Sequence, residues 1–442
     1  MLRAVFACVL SVTMTNCSGG GANFGSTPRA VGDAIAVSSG DVSRASVDAQ
    51  TTAAATIPFP STSDPDPFYA QPKSFPNASP GTILASRSVT YEPDSVTMPN
   101  PAWQLKFVSR DLNGKPIAAV ATVVMPLVRS GAPNGLVEAF AEDALGPQCA
   151  PSHGVTGSTA DSNELLETGV PTAGLAAGWT VVYPDFEGPT SLYAAGKPSG
   201  QITLDSIRAA EAFAPLGLNA KSPVGLSGYS GGASAVSWAA TLQKKYAPTL
   251  NIVGIASGGT PADIKGIADN IDTDTVSNLA FFGIIFMATV GINRAYPELI
   301  SPILNPAGVA AATAMENGCI GKNSDGSSGP SGTFATFTTK SIDTAPGFLK
   351  AAALDSLPQA GSPPVTTEFV YHSVTDELIP IAGADKMVSG WCAAGAKIAY
   401  YRALSGDHIT TELDNVQFVV TFLTQRFAGT TPTYPPTTTV CN

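Results

Sequence analysis

Residues 223–246 read PVGLSGYSGGASAVSWAATLQKKY. A short apolar run, Val224-Gly225-Leu226, leads into Gly228-Tyr229-Ser230-Gly231-Gly232, and a helix-like stretch from Ala233 to Tyr246 follows at once. The pattern Gly-x-Ser-x-Gly occurs once in the chain, and no other segment constrains the fold as much. Between a strand and a helix it demands a turn so sharp that the serine's own backbone is strained. Gly228 and Gly232 lack the bulk that would keep strand and helix apart. The backbone N–H of Gly231, at the start of the helix, then points to where an oxyanion would form beside Ser230. A glycine-rich turn with a bystander serine satisfies the bare pattern equally well, so the rest of the chain must decide.

With 442 residues there is room for a large core. The chain is 44% hydrophobic and 13% charged, as suits an exported globular protein. Acidic residues outnumber basic ones by 34 to 23, a net charge of −11 that argues against a nucleic-acid partner, which needs a basic face. No Gly-x-Gly-x-x-Gly or Walker-type loop implies a nucleotide cofactor, and no histidine or Cys-x-x-Cys spacing implies a metal. The expectation is an enzyme without a cofactor. Six cysteines fall at 8, 17, 149, 319, 392 and 441. The last four allow two disulfides in three connectivities if the chain is exported.

Met1-Leu2-Arg3, an apolar run and TNCSGGG compose an export signal over residues 1–17, too short to span a membrane as a helix. Cys17 followed by Ser18-Gly19-Gly20-Gly21 resembles a bacterial lipoprotein site, which would tether the protein to a membrane, in the outer-membrane or cell-envelope manner; a plainly cleaved signal is the alternative. Residues 18–60 are rich in Ser, Thr, Ala and Gly and read as a disordered linker, with a proline-dense, aromatic arm from Pro58 to Pro80.

The folded body is expected from near Thr82. Strand-like runs appear at 104–110, 117–125 (around the hairpin signal Asn113-Gly114), 135–141, 180–183, 251–256, 368–371 and 397–401. Helix-like stretches lie at 160–177, 203–214, 233–246 and 412–427. This alternation implies an α/β fold, a mostly parallel sheet covered by helices on both faces. The alternation stops over 260–345, where Leu279–Ile292 is apolar nearly all round. We expect a helical cap or lid there, inserted into an α/β-hydrolase core formed by 61–259 and 346–442; a buried core helix with no lid role is the alternative.

A serine hydroxyl becomes a nucleophile only when a base removes its proton and a carboxylate orients that base. On such a fold the chain order is serine, acid, histidine, with the partners on loops after late strands. There are only three histidines, His153, His372 and His408. His153 precedes Ser230, and His372 ends a strand, which suits a structural role. His408, in the loop Ser405-Gly406-Asp407-His408 before the final helix, stands where the base belongs. The acid is expected from HSVTDELIP (372–380) as Asp376, with Glu377 its rival. A second oxyanion donor is expected after the strand 135–141, at Asp143 or Ala144.

At this point the chain resembles the secretory lipases of the Candida antarctica lipase A type, through DPDPFY (64–69), EDALGPQCAPS (142–152), PDFEG (184–188), GYSGGASAVSWA (228–239), YAPTLNIVGIASGGTP (246–261), HSVTDELIP (372–380), WCAAGAKI (391–398) and DHITTE (407–412). The resemblance implies a triad of Ser230, Asp376 and His408, an oxyanion hole from Asp143 and Gly231, a cap at about 260–345, and disulfides Cys149–Cys319 and Cys392–Cys441. The chain departs from the family in the middle of the cap and in stopping near Cys441, where members can carry a longer C-terminal flap. The expected function is that of a secreted serine carboxylic ester hydrolase, a triacylglycerol lipase, working as a monomer on an ester or lipid substrate. The alternatives are a non-lipid carboxylesterase or peptidase on the same fold, or an inactive hydrolase-fold binding module.

Overall fold

The computed structural model describes residues 58–75, 79–129, 131–157, 167–272, 276–357 and 362–441. Period-two and fully apolar runs form the strands β1 (Ile83–Tyr91), β2 (Met98–Arg110), β3 (Pro116–Val124), β4 (Gly135–Ala139), β5 (Thr180–Pro184), β6 (Val224–Tyr229), β7 (Ile252–Gly258), β8 (Glu368–Ser373), β9 (Ile398–Ala403) and β10 (Thr439–Cys441). They make one sheet in the order β1-β2-β3-β5-β4-β6-β7-β8-β9-β10. The first three form an antiparallel meander, and β3 also runs antiparallel to β5. From β5 through β4, β6, β7 and β8 to β9 every pairing is parallel, and β10 closes the far edge antiparallel. Between the two edge strands this is the strand order of an α/β-hydrolase.

The hairpin joining β2 to β3 turns at Asn113-Gly114, where the Asp111 side chain accepts from the Asn113 and Lys115 amides and Gly114 takes a φ of 76°. In β4, β5, β6 and β8 every residue is buried, because both faces of the sheet are covered. Successive residues serve opposite layers. Val182 and Val137 join one core with helices α2 (Gly196–Ala212) and α3 (Ser230–Tyr246). Their neighbours Val181 and Leu136 join another, with α1 (Gly169–Ala176) and α9 (His408–Phe427).

A third apolar cluster belongs to the insertion after β7. It gathers α4 (Ile264–Ile271), α5 (Val276–Ala295), α6 (Pro306–Met315) and α7 (Pro346–Asp355) around Phe282, Phe286, Phe334, Phe337 and Phe348. Helix α7 packs in this layer too, so the helical insertion runs on past residue 345. The chain re-enters the sheet at β8, and α8 (Ile381–Ala393) covers β8 and β9 through Met387, Val388 and Trp391. Among the described residues no helix is long and apolar enough to cross a membrane.

Several boundaries differ from the sequence-based expectation. Helix α2 begins at Gly196, not Thr203, because its Gly- and Pro-containing first turns are buried against α3, and packing overrides weak propensity. Helix α9 begins at His408, not Glu412, where a reciprocal capping box between Asp407 and Thr410 starts it. Strands β1 and β10 and helix α8 were not anticipated. Residues 160–166 of the expected 160–177 helix lie outside the described residues, as does the leader with Cys17.

Candidate active site

The β6–α3 junction leaves no spare residue, since the strand ends at Tyr229 and the helix starts at Ser230. Ser230 takes a φ of 48°, a conformation that costs a non-glycine residue about 1–3 kcal/mol. The turn closes because its flanks are bare. A Cβ on Gly232 would stand 1.7 Å from the Ala139 carbonyl oxygen, and one on Gly228 2.5 Å from the Gly232 backbone.

The late loops bring the other two groups to this serine. Ser230 Oγ lies 2.9 Å from Nε2 of His408, and His408 Nδ1 lies 2.8 Å from Oδ2 of Asp376. The Asp376 loop is held by its own backbone, since Oδ1 accepts the amides of Leu378 (3.1 Å) and Ile379 (2.8 Å). With Nδ1–H donated to the carboxylate, the Nε2 lone pair faces the hydroxyl. The other acid candidate does not reach the ring: Glu377 accepts the His408 backbone amide at 3.0 Å. Tyr229 donates to the His408 carbonyl at 2.6 Å, tying the base to the residue before the serine.

The remaining histidines stand elsewhere. His372 is fully buried at the end of β8, with Nε2 2.8 Å from the Ile379 carbonyl and 3.3 Å from Asp376 Oδ2, so it braces the acid loop. His153 meets Asp64 at 2.7 Å and stacks on Tyr69 at 4.5 Å, fixing the proline-rich arm to the core.

Burial alone would raise the Asp376 pKa, but hydrogen bonds from His372 and His408 hold it well below the usual carboxylate range. Burial likewise would lower that of His408. The Asp376 hydrogen bond and charge outweigh it, Glu377 and Glu412 add to them, and the imidazole ends above its ordinary value of 6.5.

Asp143 takes a φ of 43°, and its side chain hydrogen-bonds Tyr193. It presses against Gly231 so closely that a Cβ there would stand 2.2 Å from Asp143 Oδ1. The alternative donor, Ala144, lines neither cavity at Ser230, whereas Asp143 lines both. Asp143 and Gly231 therefore stay together beside Ser230 as the candidate oxyanion donors. Burial and the charges of Glu142 and Asp143 push Glu187 well above the usual carboxylate range.

Two cavities meet at the serine. The first, of about 820 Å³ including the space open to solvent, is walled on the insertion side by Ile284, Ile285, Ala288, Thr289 and Ile292 of α5. The opposite face of α5 carries Phe282, Phe286 and Val290 into the insertion's own core. Both faces of this helix are occupied, which is why it is apolar nearly all round. The second cavity, of about 570 Å³, is lined by His408, Glu167, Glu412 and the apolar side chains Phe281, Ile320 and Ile409.

Cys149 pairs with Cys319, joining the loop after β4 to the insertion and fixing Ile320 at the second cavity. Cys392 pairs with Cys441, tying α8 to β10. Three residues of the site were not anticipated. Glu412 follows His408 at helical i+4 spacing, a signal the sequence did hold. Glu167 and Arg294 carry none. Arg294 is buried and donates to the carbonyls of Phe59, Leu145, Thr190, Ser191 and Glu316, clamping the insertion to the core.

Residues 163–434 match the secretory lipase family. The chain is 32% identical over 387 residues to the secreted triacylglycerol lipase LIP5 of Malassezia globosa, covering 84% of this chain and 80% of that one. It is 32% identical over 388 residues to Lipase 10 of Candida albicans, covering 82% and 81%. The crystal structure of Candida antarctica lipase A in its closed state superposes with a TM-score of 0.75 at 27% identity, over 85% of this chain and 88% of that one. Sharing a fold with one of these enzymes and about a third of its residues with the others over most of its length, the chain belongs to the secretory lipase family of α/β-hydrolases.

Proposed function

We propose that this protein is an exported serine carboxylic ester hydrolase that acts as a triacylglycerol lipase. The observation that carries the reading is the Ser230–His408–Asp376 alignment, which opens directly onto a largely apolar cavity of about 820 Å³. Ser230 Oγ attacks the ester carbonyl carbon while His408 Nε2 takes the hydroxyl proton. The carbonyl oxygen becomes an oxyanion, held by the amides of Asp143 and Gly231. Asp376 keeps Nδ1 protonated and stabilises the imidazolium. As the adduct collapses, the imidazolium proton passes to the alcohol oxygen, the C–O bond breaks, and an acyl-Ser230 ester remains. Water enters by the same route in reverse, giving its proton to Nε2, and the acid is released as Ser230 regains its proton.

The α5 face gives an acyl chain an apolar wall, and the helical insertion serves as the cap over it. The experiment is hydrolysis of short- and long-chain p-nitrophenyl esters by wild type and Ser230→Ala. Turnover by the wild type alone, extending to long chains, is expected; equal turnover by both proteins would refute the reading. The 1–17 leader directs export, in keeping with relatives named as secreted. A lipid on Cys17 would hold the enzyme at a membrane; the intact mass of the mature N-terminal peptide distinguishes a diacylated cysteine from a plain cleavage product.

A further inference from the structure

The second cavity shares Ser230, Asp143, Ile284 and Leu378 with the acyl cavity, but only the second is lined by His408. That decides which half of an ester each receives. The imidazolium must deliver its proton to the departing alcohol oxygen, so the alcohol lies against the imidazole. The apolar cavity is left for the acyl chain.

An alcohol pocket for plain alkyl groups would be apolar throughout. This one is apolar at Phe281, Ile320 and Ile409, yet four acidic residues also line it: Asp143, Glu167, Glu377 and Glu412. Glu377 is engaged by the His408 amide and Asp143 by Tyr193. Glu412 stands one turn beyond His408 on α9 and is only 7% exposed. Its carboxyl has no hydrogen-bond partner among the described residues. Glu167, 6% exposed, accepts the Ala141 amide at 2.9 and 3.1 Å through its two oxygens. The Glu412 carboxyl reaches the cavity, where a ligand hydroxyl can take the place of the water that would otherwise solvate it. Burial pushes Glu412 up to about 7, opposed by the His408 charge, and pushes Glu167 well above the usual range with Glu412 adding to it. Near neutral pH the pair therefore offers both a donor and an acceptor, the combination that a hydroxyl satisfies.

We propose that Glu412, with Glu167 in the same cavity, forms a polar subsite for a free hydroxyl on the alcohol half of the substrate. Partial glycerides and other polyol monoesters are then preferred to esters of plain alkanols. The inference rests on the ester-hydrolase reading and names the specificity of that same site.

The test uses the 2-hydroxyethyl and n-propyl esters of one fatty acid, which differ only in a terminal hydroxyl against a methyl group. The wild type is expected to favour the hydroxyethyl ester by about tenfold in kcat/KM, the usual worth of one well-placed hydrogen bond. Glu412→Leu removes the preference, chiefly through KM, and Glu412→Gln, which still donates and accepts, retains most of it. Labelling of Ser230 by a fluorophosphonate reports that each variant is folded. A wild-type preference for the propyl ester, or near-equal use of both, overturns the inference without any variant. A preference unmoved in a labelled Glu412→Leu overturns it too, and turnover of both esters leaves the ester-hydrolase reading standing in either case. Turnover of neither ester by the wild type would sink that reading, and this inference with it.

Discussion

Ser230 and Asp143 both hold left-handed backbone angles, and they are the two residues the loops press together around Gly231. Strain at neighbouring positions persists only where the surroundings over-determine it, and here the close approach of β6, α3 and the loop after β4 does so. Within this frame Asp376, the proposed acid, fixes the tautomer of His408, the proposed base. Asp376→Asn presents an amide to partners that are mostly donors, and kcat/KM should fall by about 10⁴-fold while the fold is kept; steady-state kinetics alongside a thermal melt separate the two effects. The base acts only when neutral, and its protonated fraction grows as pH falls through its pKa. Since that pKa is raised above 6.5, the acid limb of kcat/KM should lie above 6.5. Glu377→Gln removes a neighbouring negative charge that favours the imidazolium, so the limb should move to lower pH. A limb that stays put or climbs in the pH profile would contradict the assignment.

At the scale of elements, α5 is the piece whose two faces have separate duties. Phe286→Ala, on the face turned into the insertion's core, should cost about 3–5 kcal/mol of stability by denaturant melt, because the aromatic cluster around it cannot collapse into the void. On the other face, Ala288→Trp fills the cavity instead of emptying the core. It should lower kcat/KM for long-chain esters at least tenfold while acetyl esters still turn over, read from a chain-length profile. The Cys149–Cys319 bridge joins the base of this insertion to the loop after β4 across 170 residues. Removing it as Cys149→Ser/Cys319→Ser should cost about 2–4 kcal/mol in a thermal or denaturant melt.

For the whole molecule, a buried guanidinium joins the disulfide in clamping the insertion to the core. Burial lowers the Arg294 pKa to about 10, still far above neutrality, so the charge persists and five backbone carbonyls satisfy it. Arg294→Met keeps the stem and leaves those carbonyls unpaired. A loss of about 2–4 kcal/mol is expected by denaturant melt.

The strand–helix alternation, the sharp serine turn and a candidate base could be read from sequence because each is written locally. The elbow needs bare glycines beside one serine, the parallel strands need unbroken apolar runs, and a chain with three histidines leaves few choices of base. Strands β1 and β10 escaped notice because edge strands are half exposed, so their hydrophobic pattern is weak or only three residues long. Helix α2 hid its first turns behind glycine and proline, which only packing against α3 makes helical. The meeting of Glu167 with Glu412, and of Arg294 with five carbonyls from four distant segments, has no local signature at all. Their partners lie tens to hundreds of residues away, and nothing in the neighbouring residues distinguishes a carboxyl bound for a cavity from one bound for water. Nearest-neighbour sterics and hydrophobic periodicity thus settle the serine elbow, the central strands and the main helices from sequence alone. Which charges those elements bury together is decided only when the sheet, its helices and the insertion close on one another.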